Sequence, residues 1–153
     1  MNFKVNSTEM KVAVTTASKA IIAKNVLPIL SCVKITSDSA DSIVVTGSSQ
    51  EVRLSVDCPA HDIADFRPIC VEAALLNSAL GNLSHQELEF NVSGNNLTIV
   101  YQGGHFNLTI QEATEYPELD LTAEGVTTRI PSEILSEAMR CCRPFAANDE
   151  LRP

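Results

Sequence analysis

The chain has 153 residues, 44% hydrophobic and 20% charged, with five phenylalanines, two tyrosines and no tryptophan. Such proportions exclude a disordered chain and describe a globular one with a mostly aliphatic core, one domain or one domain plus part of another. A net charge of −8 argues against indiscriminate nucleic-acid binding, but the charge is unevenly spread. Residues 1–24 hold four lysines (Lys4, Lys11, Lys19, Lys24) against Glu9, a net +3. Residues 25–124 hold Lys34, Arg53 and Arg67 against fourteen acids, a net −11. Positive charge therefore gathers on the opening segment of an acidic body.

In chain order, residues 2–5 alternate as a short strand with Phe3 and Val5 on one side. Asn6 and Ser7 are N-cap candidates, and with Asn6 as cap Glu9 falls at a capping-box-like spacing. A helix is expected from Ser7 to about Ala23. At 100° per residue, Met10, Val14, Ala17 and Ile21 share one face, with Lys11, Thr15, Ser18 and Lys19 roughly opposite. Pro28 disfavours helical geometry at Leu27, so the chain should become extended there. Strands follow at 31–36, 42–47 and 51–56, separated by Ser/Asp- and Gly/Ser-rich turns; Val52, Leu54 and Val56 alternate with Glu51, Arg53 and Ser55. Residues 57–68, with Pro59, His61, Asp62, Asp65 and Pro68, read as a connection.

The same pattern then repeats. Ile69-Cys70-Val71 is a strand, and 72–83 a helix with Leu75, Leu76, Ala79, Leu80 and Leu83 at helical spacing. Strands follow at 87–92, 97–102 and 105–110, divided by turns at Ser93–Asn96 and Gly103-Gly104. The fold class is therefore α+β, a strand-helix-three-strand unit occurring twice, with the helices on one face of antiparallel sheets. A third copy opens at Thr127: a strand, a capping Ser132, then a helix carrying Ile134, Leu135, Ala138 and Met139 inward. Residues 1–122 form the first domain in this reading, and 123–153 the opening strand and helix of a truncated second. A piece of some 27 residues cannot bury a core of its own.

Chemistry-bearing constellations are scarce. Five cysteines (Cys32, Cys58, Cys70, Cys141, Cys142) have no CxxC spacing and, with no apolar leader at the N-terminus, point to a reducing, cytoplasmic setting. Cys141-Cys142 between Arg140 and Arg143 lacks a histidine, and His61, His85 and His105 lack metal-ligand spacing, so neither catalysis, nor a metal, nor another cofactor is expected. No run is long enough to span a bilayer.

Several short stretches, in order, carry a family resemblance: Leu27-Pro28-Ile29-Leu30, Thr46-Gly47, Gly104-His105-Phe106-Asn107-Leu108, Glu115-Tyr116-Pro117-Glu118-Leu119, and Phe145-Ala146-Ala147-Asn148-Asp149-Glu150-Leu151-Arg152-Pro153. The chain resembles the bacterial sliding clamp, the beta subunit of DNA polymerase III, over its first domain and the start of its second. That resemblance implies a DNA-clamp fold whose inner helices face duplex DNA without reading its sequence. It implies a non-catalytic processivity factor with polymerase subunits and the clamp loader as partners, and a homodimeric ring in the full-length family. Carried over by position, Lys24, Lys19, Lys11, Arg140 and Asn148 are candidate DNA contacts, and Arg152 lies at the rim of a partner-peptide pocket. Departing from the pattern, residues 72–83 contain no lysine or arginine. Taken without the resemblance, a lysine-bearing helix face is a solvated surface. A clamp-like protein-interaction module that does not encircle DNA is the alternative function.

Overall fold

The computed structural model describes residues 1–22, 27–37, 39–49, 51–118 and 128–146. By compactness the chain divides into two units, Met1–Leu119 and Asp120–Pro153. Among the described residues of the first, eight strands and two α-helices follow the expected order twice. Strand β1 (Asn2–Asn6), helix α1 (Ser7–Ala17) and strands β2 (Cys32–Thr36), β3 (Ser42–Ser48) and β4 (Arg53–Ala64) are followed by β5 (Ile69–Glu72), α2 (Ala73–Gly81), β6 (Glu87–Ser93), β7 (Asn96–Tyr101) and β8 (Gly104–Glu112).

All eight strands join one closed antiparallel barrel, ordered β1-β4-β3-β2-β5-β8-β7-β6. Each repeat has the internal order first-fourth-third-second. The repeats meet twice through equivalent pairs, β2 on β5 and β6 on β1, so the strand pairing is two-fold symmetric. Closure removes the open edges that invite aberrant pairing.

The core follows from the two periodicities. Met10, Ala13, Val14 and Ala17 of α1 and Leu76 and Leu80 of α2 are buried against alternate strand residues such as Val33, Ile35, Ile43, Val45, Leu88, Phe90, Leu97 and Ile99. Phe3 stacks on Phe90 with ring centroids 4.8 Å apart, which ties β1 to β6 across the second seam. Asn6 caps α1 as expected, its side chain accepting from the Thr8 amide at 2.9 Å.

Four local expectations are corrected. Helix α1 stops at Ala17, short of Ala23, and 18–20 form a 3-10 turn. The Ser18 hydroxyl donates to the Val14 carbonyl at 2.6 Å, so side chain and backbone compete for that acceptor. Second, 57–64 is strand, not connection: β4 leaves β3 near Pro59 and pairs with β1 from Ala60. The register there shifts between Asn2 and Lys4, and Asp62 takes φ 54°, the left-handed bulge conformation that Asp tolerates. Third, Val52 is half exposed because it lies in a turn, where its carbonyl accepts from the Ser49 amide and its amide donates to the Ser49 hydroxyl. Leu75 is likewise half exposed, leaving Leu76 and Leu80 as the inward residues of α2.

The second unit contributes α3 (Ser132–Cys142) and a 3-10 turn, Arg143–Phe145. Here too an expectation fails. Residues 128–131 form no strand, and Ser132 is the first helical residue after Pro131, with no side-chain cap. Ile134, Leu135 and Met139 are exposed rather than inward, because no strands to receive them occur among this unit's described residues.

Candidate nucleic-acid interface

Helices α1 and α2 run antiparallel, which follows from the rungs between them. Lys11 meets Gly81 at 2.7 Å and Thr15 meets Asn77 at 3.1 Å, positions rising along one helix as they fall along the other, and Thr8 meets His85, four residues beyond the end of α2, at 3.1 Å. Asn77 also donates to the Ser18 hydroxyl at 3.0 Å, fixing the far end of the pair. The resulting surface is mixed: Thr15, Ser18 and Asn77 are polar, Val12 and Leu75 are exposed apolar side chains, and the exposed Glu72 lines a groove with Ser18 and Asn77. Glu9 lines a groove with Pro59, Ala60, His61 and Glu87, on the barrel side of α1 rather than towards α2.

Among the described residues, two cations stand on this surface. Lys11 and Lys19 are exposed, eight positions apart, and neither makes an ion pair among the described residues. At about 1.5 Å rise per residue in α1 and about 2 Å in the 3-10 turn that carries Lys19, their backbones lie roughly 13 Å apart along the axis. Lys11 has a second task that the sequence does not announce. Its ammonium donates to the carbonyl of Gly81 at the last residue of α2, a helix with no basic residue in its own last turn. A cation there satisfies an orphan carbonyl and opposes the negative end of the helix dipole. Spacing along α1 places Lys11 on the outer face but cannot say which carbonyl lies within its reach.

The other described cations of this unit are engaged elsewhere. Lys4 pairs with Asp62 at 2.8 Å, Lys34 with Glu118 at 3.6 Å and Arg67 with Glu112 at 3.8 Å, while Arg53 donates to the Pro117 carbonyl at 3.2 Å. In the second unit Arg140 grips Glu137 through contacts of 2.7 and 3.1 Å and holds that carboxyl below the usual carboxylate range. Its charge is therefore largely compensated. Lys24, Asn148 and Arg152 lie outside the described residues. Also among the described residues, no cluster of three or more His, Cys, Asp or Glu could hold a metal ion, and no helix is long and apolar enough to cross a membrane.

A family model described as the N-terminal domain of the DNA polymerase III beta subunit matches residues 1–120. The chain belongs to that family. Among curated members, the beta sliding clamps of Halalkalibacterium halodurans and Bacillus subtilis are each 26% identical over 161 aligned residues, covering all of this chain and 42% of theirs. A crystal structure of the Bacillus subtilis DNA polymerase sliding clamp superposes with a TM-score of 0.85 at 24% identity, covering 100% of this chain and 42% of that one. The chain thus spans about two fifths of the length of these clamps. The clamp fold that the family resemblance implies, and the strand-helix-three-strand repeat read from the residues, are both observed. Within that fold, Thr46-Gly47 acquires a packing reason: a Cβ on Gly47 would sit 2.1 Å from the Ala17 carbonyl oxygen, so this strand glycine lets the end of α1 lie directly on β3.

Proposed function

We propose that this chain supplies the N-terminal part of a DNA sliding clamp, a non-catalytic cytoplasmic processivity factor, and that the α1/α2 surface is the side facing duplex DNA. The observation that carries the reading is the position of Lys11 and Lys19. Among the described residues Lys19 is exposed without an ion partner and Lys11 is held only by the Gly81 carbonyl, whereas Lys4, Lys34 and Arg67 are paired with carboxylates. A surface that must hold phosphates without reading bases needs mobile cations and few acids, and should be backed by an acidic exterior that repels DNA elsewhere. Lys24 belongs to the same basic segment and is assigned with them. Arg140 and Asn148 are assigned a secondary part, with Arg140 limited by its grip on Glu137. In the longer proteins of this family the partners would be polymerase subunits, a clamp loader and a second copy of the clamp, with Arg152 near the peptide-docking pocket.

The test is fluorescence anisotropy with a labelled random-sequence duplex over a salt series. Neutralising three phosphates gives a slope of log K on log salt of about −2.7. The Lys11→Glu, Lys19→Glu and Lys24→Glu triple variant should abolish measurable binding while sequence changes in the duplex have no effect. Lys11→Glu also places an anion at the α2 terminus, so melting is followed in parallel and Lys19→Glu with Lys24→Glu serves as the pair that leaves the Lys11–Gly81 contact in place. Unchanged affinity in that pair sinks the assignment of this face.

A second reading, a clamp-like protein-interaction module, is favoured by one observation. Val12 and Leu75 are 58% and 50% exposed on the two helices, and α2 has no cation. It would be preferred if the chain bound partner protein but showed no salt-dependent affinity for duplex.

A further inference from the structure

The described residues of the first unit form two apolar clusters, and the helix-on-barrel packing accounts only for the larger. The smaller consists of Ile29, Leu30, Cys32, Cys70, Ala113 and Tyr116. Its members come from distant parts of the chain: the 3-10 turn Pro28–Ser31, the paired strands β2 and β5, and the 3-10 turn Ala113–Glu115 that follows β8. Tyr116 is its largest side chain. It is 3% exposed, and its hydroxyl donates to the Cys32 carbonyl at 3.5 Å. Burial pushes its phenol up to about 12, so the hydroxyl stays protonated and able to donate.

The segment carrying Tyr116 is also held from outside. The Lys34 ammonium lies 5.9 Å from the Tyr116 ring centroid and 3.6 Å from a Glu118 oxygen. Arg53 donates to the Pro117 carbonyl at 3.2 Å. Two barrel cations therefore fasten a strap whose one large apolar side chain is inserted beside the 27–32 turn. Small clusters under surface segments open at lower free energy than the central core, and their members open together.

We propose that Tyr116 is a positioning residue that locks the 27–32 turn and the 113–118 strap into one cooperative unit, which loosens as a whole without unfolding the barrel. The inference does not depend on the DNA reading. Its functional sense is mechanical: the turn three residues after Lys24 and the segment leading out of the first unit share a single anchor.

Hydrogen exchange on the intact chain tests it, since each segment has reporter amides. Leu30 donates to the Leu27 carbonyl and Cys32 to that of Ile29 on one side; Tyr116 donates to that of Ala113 on the other. Tyr116→Ala should raise exchange at all three by about tenfold or more, with β6 and β7 amides unchanged. Tyr116→Phe, which keeps the ring, should stay within about twofold of the parent. If Tyr116→Ala fails to fold, Lys34→Ala, which removes only the outer clasp, should raise the same amides together by a smaller factor. A rise confined to 113–118, or one spread equally over the barrel strands, overturns the proposal.

Discussion

The close approach of α1 to β3 at Gly47 makes a sharp quantitative prediction. A Cβ there would meet the Ala17 carbonyl oxygen at 2.1 Å and the carbonyl carbon at 2.6 Å, where ordinary contact begins at 3.4 Å. Accommodating Gly47→Ala therefore demands a separation of more than 1 Å between strand and helix end. The obstructing atoms are backbone, so no side chain can rotate away. Moving α1 also disturbs Ala13, Val14 and Ala17, all buried in the main cluster. Overpacking of this kind costs about 3 kcal/mol, the upper part of the usual range, which for a unit of this size lowers the melting temperature by roughly 12 °C. Circular dichroism at 222 nm during heating measures it, with urea titration as a second axis. Gly81→Ala is the matched control: a Cβ there meets nothing within 4 Å, and the position is helical. It should stabilise by about 0.5–1 kcal/mol. If Gly47→Ala melted within about 2 °C of the parent, the inference that this contact requires glycine would be wrong.

Thiol chemistry should separate the two units. Cys32, Cys58 and Cys70 are buried, with Cys58 and Cys70 pushed up to about 11 and about 12 chiefly by desolvation, whereas Cys141 and Cys142 are exposed. A chromogenic disulfide reagent at pH 7.5 should titrate two thiols in the native chain and five in guanidinium; three or more fast native thiols would contradict the burial. Stability should also fall in alkali. The unfolded thiols and phenol ionise from ordinary values of 9 and 10, while Cys58, Cys70 and Tyr116 remain protonated in the fold until about 11 to 12. Here the folded state binds more protons, so its stability is complete below about pH 9 and declines between pH 9 and 12. A urea midpoint independent of pH over that window would refute the assignment.

The architecture was legible because the two periodicities are clean where they matter. Met10, Val14 and Ala17 recur at helical spacing, and Leu88, Phe90 and Val92 at strand spacing, and all six are buried. What escaped had a tertiary cause. Pro59 and Asp62 are local turn formers, yet β4 uses them where it exchanges one partner strand for another. Val52 alternates correctly with its neighbours but falls in a turn closed by Ser49. The helical surface was half legible: composition places lysines there, but only the structure reveals that Lys11 reaches across to α2. The small cluster under Tyr116 leaves no periodic trace, since its members come from short turns and two strand ends far apart in sequence.

The symmetric closure of the barrel bears on how the chain is made. One edge of β1 pairs with β6, Asn6 opposite Glu87 and Asn2 opposite Asn91. On the ribosome that edge therefore remains unsatisfied while some 80 further residues are added, between about 4 and 16 s at usual elongation rates. The first repeat is born with its amino-terminal strand open to any other extended segment. It is released from that exposure only when the second repeat emerges to meet it.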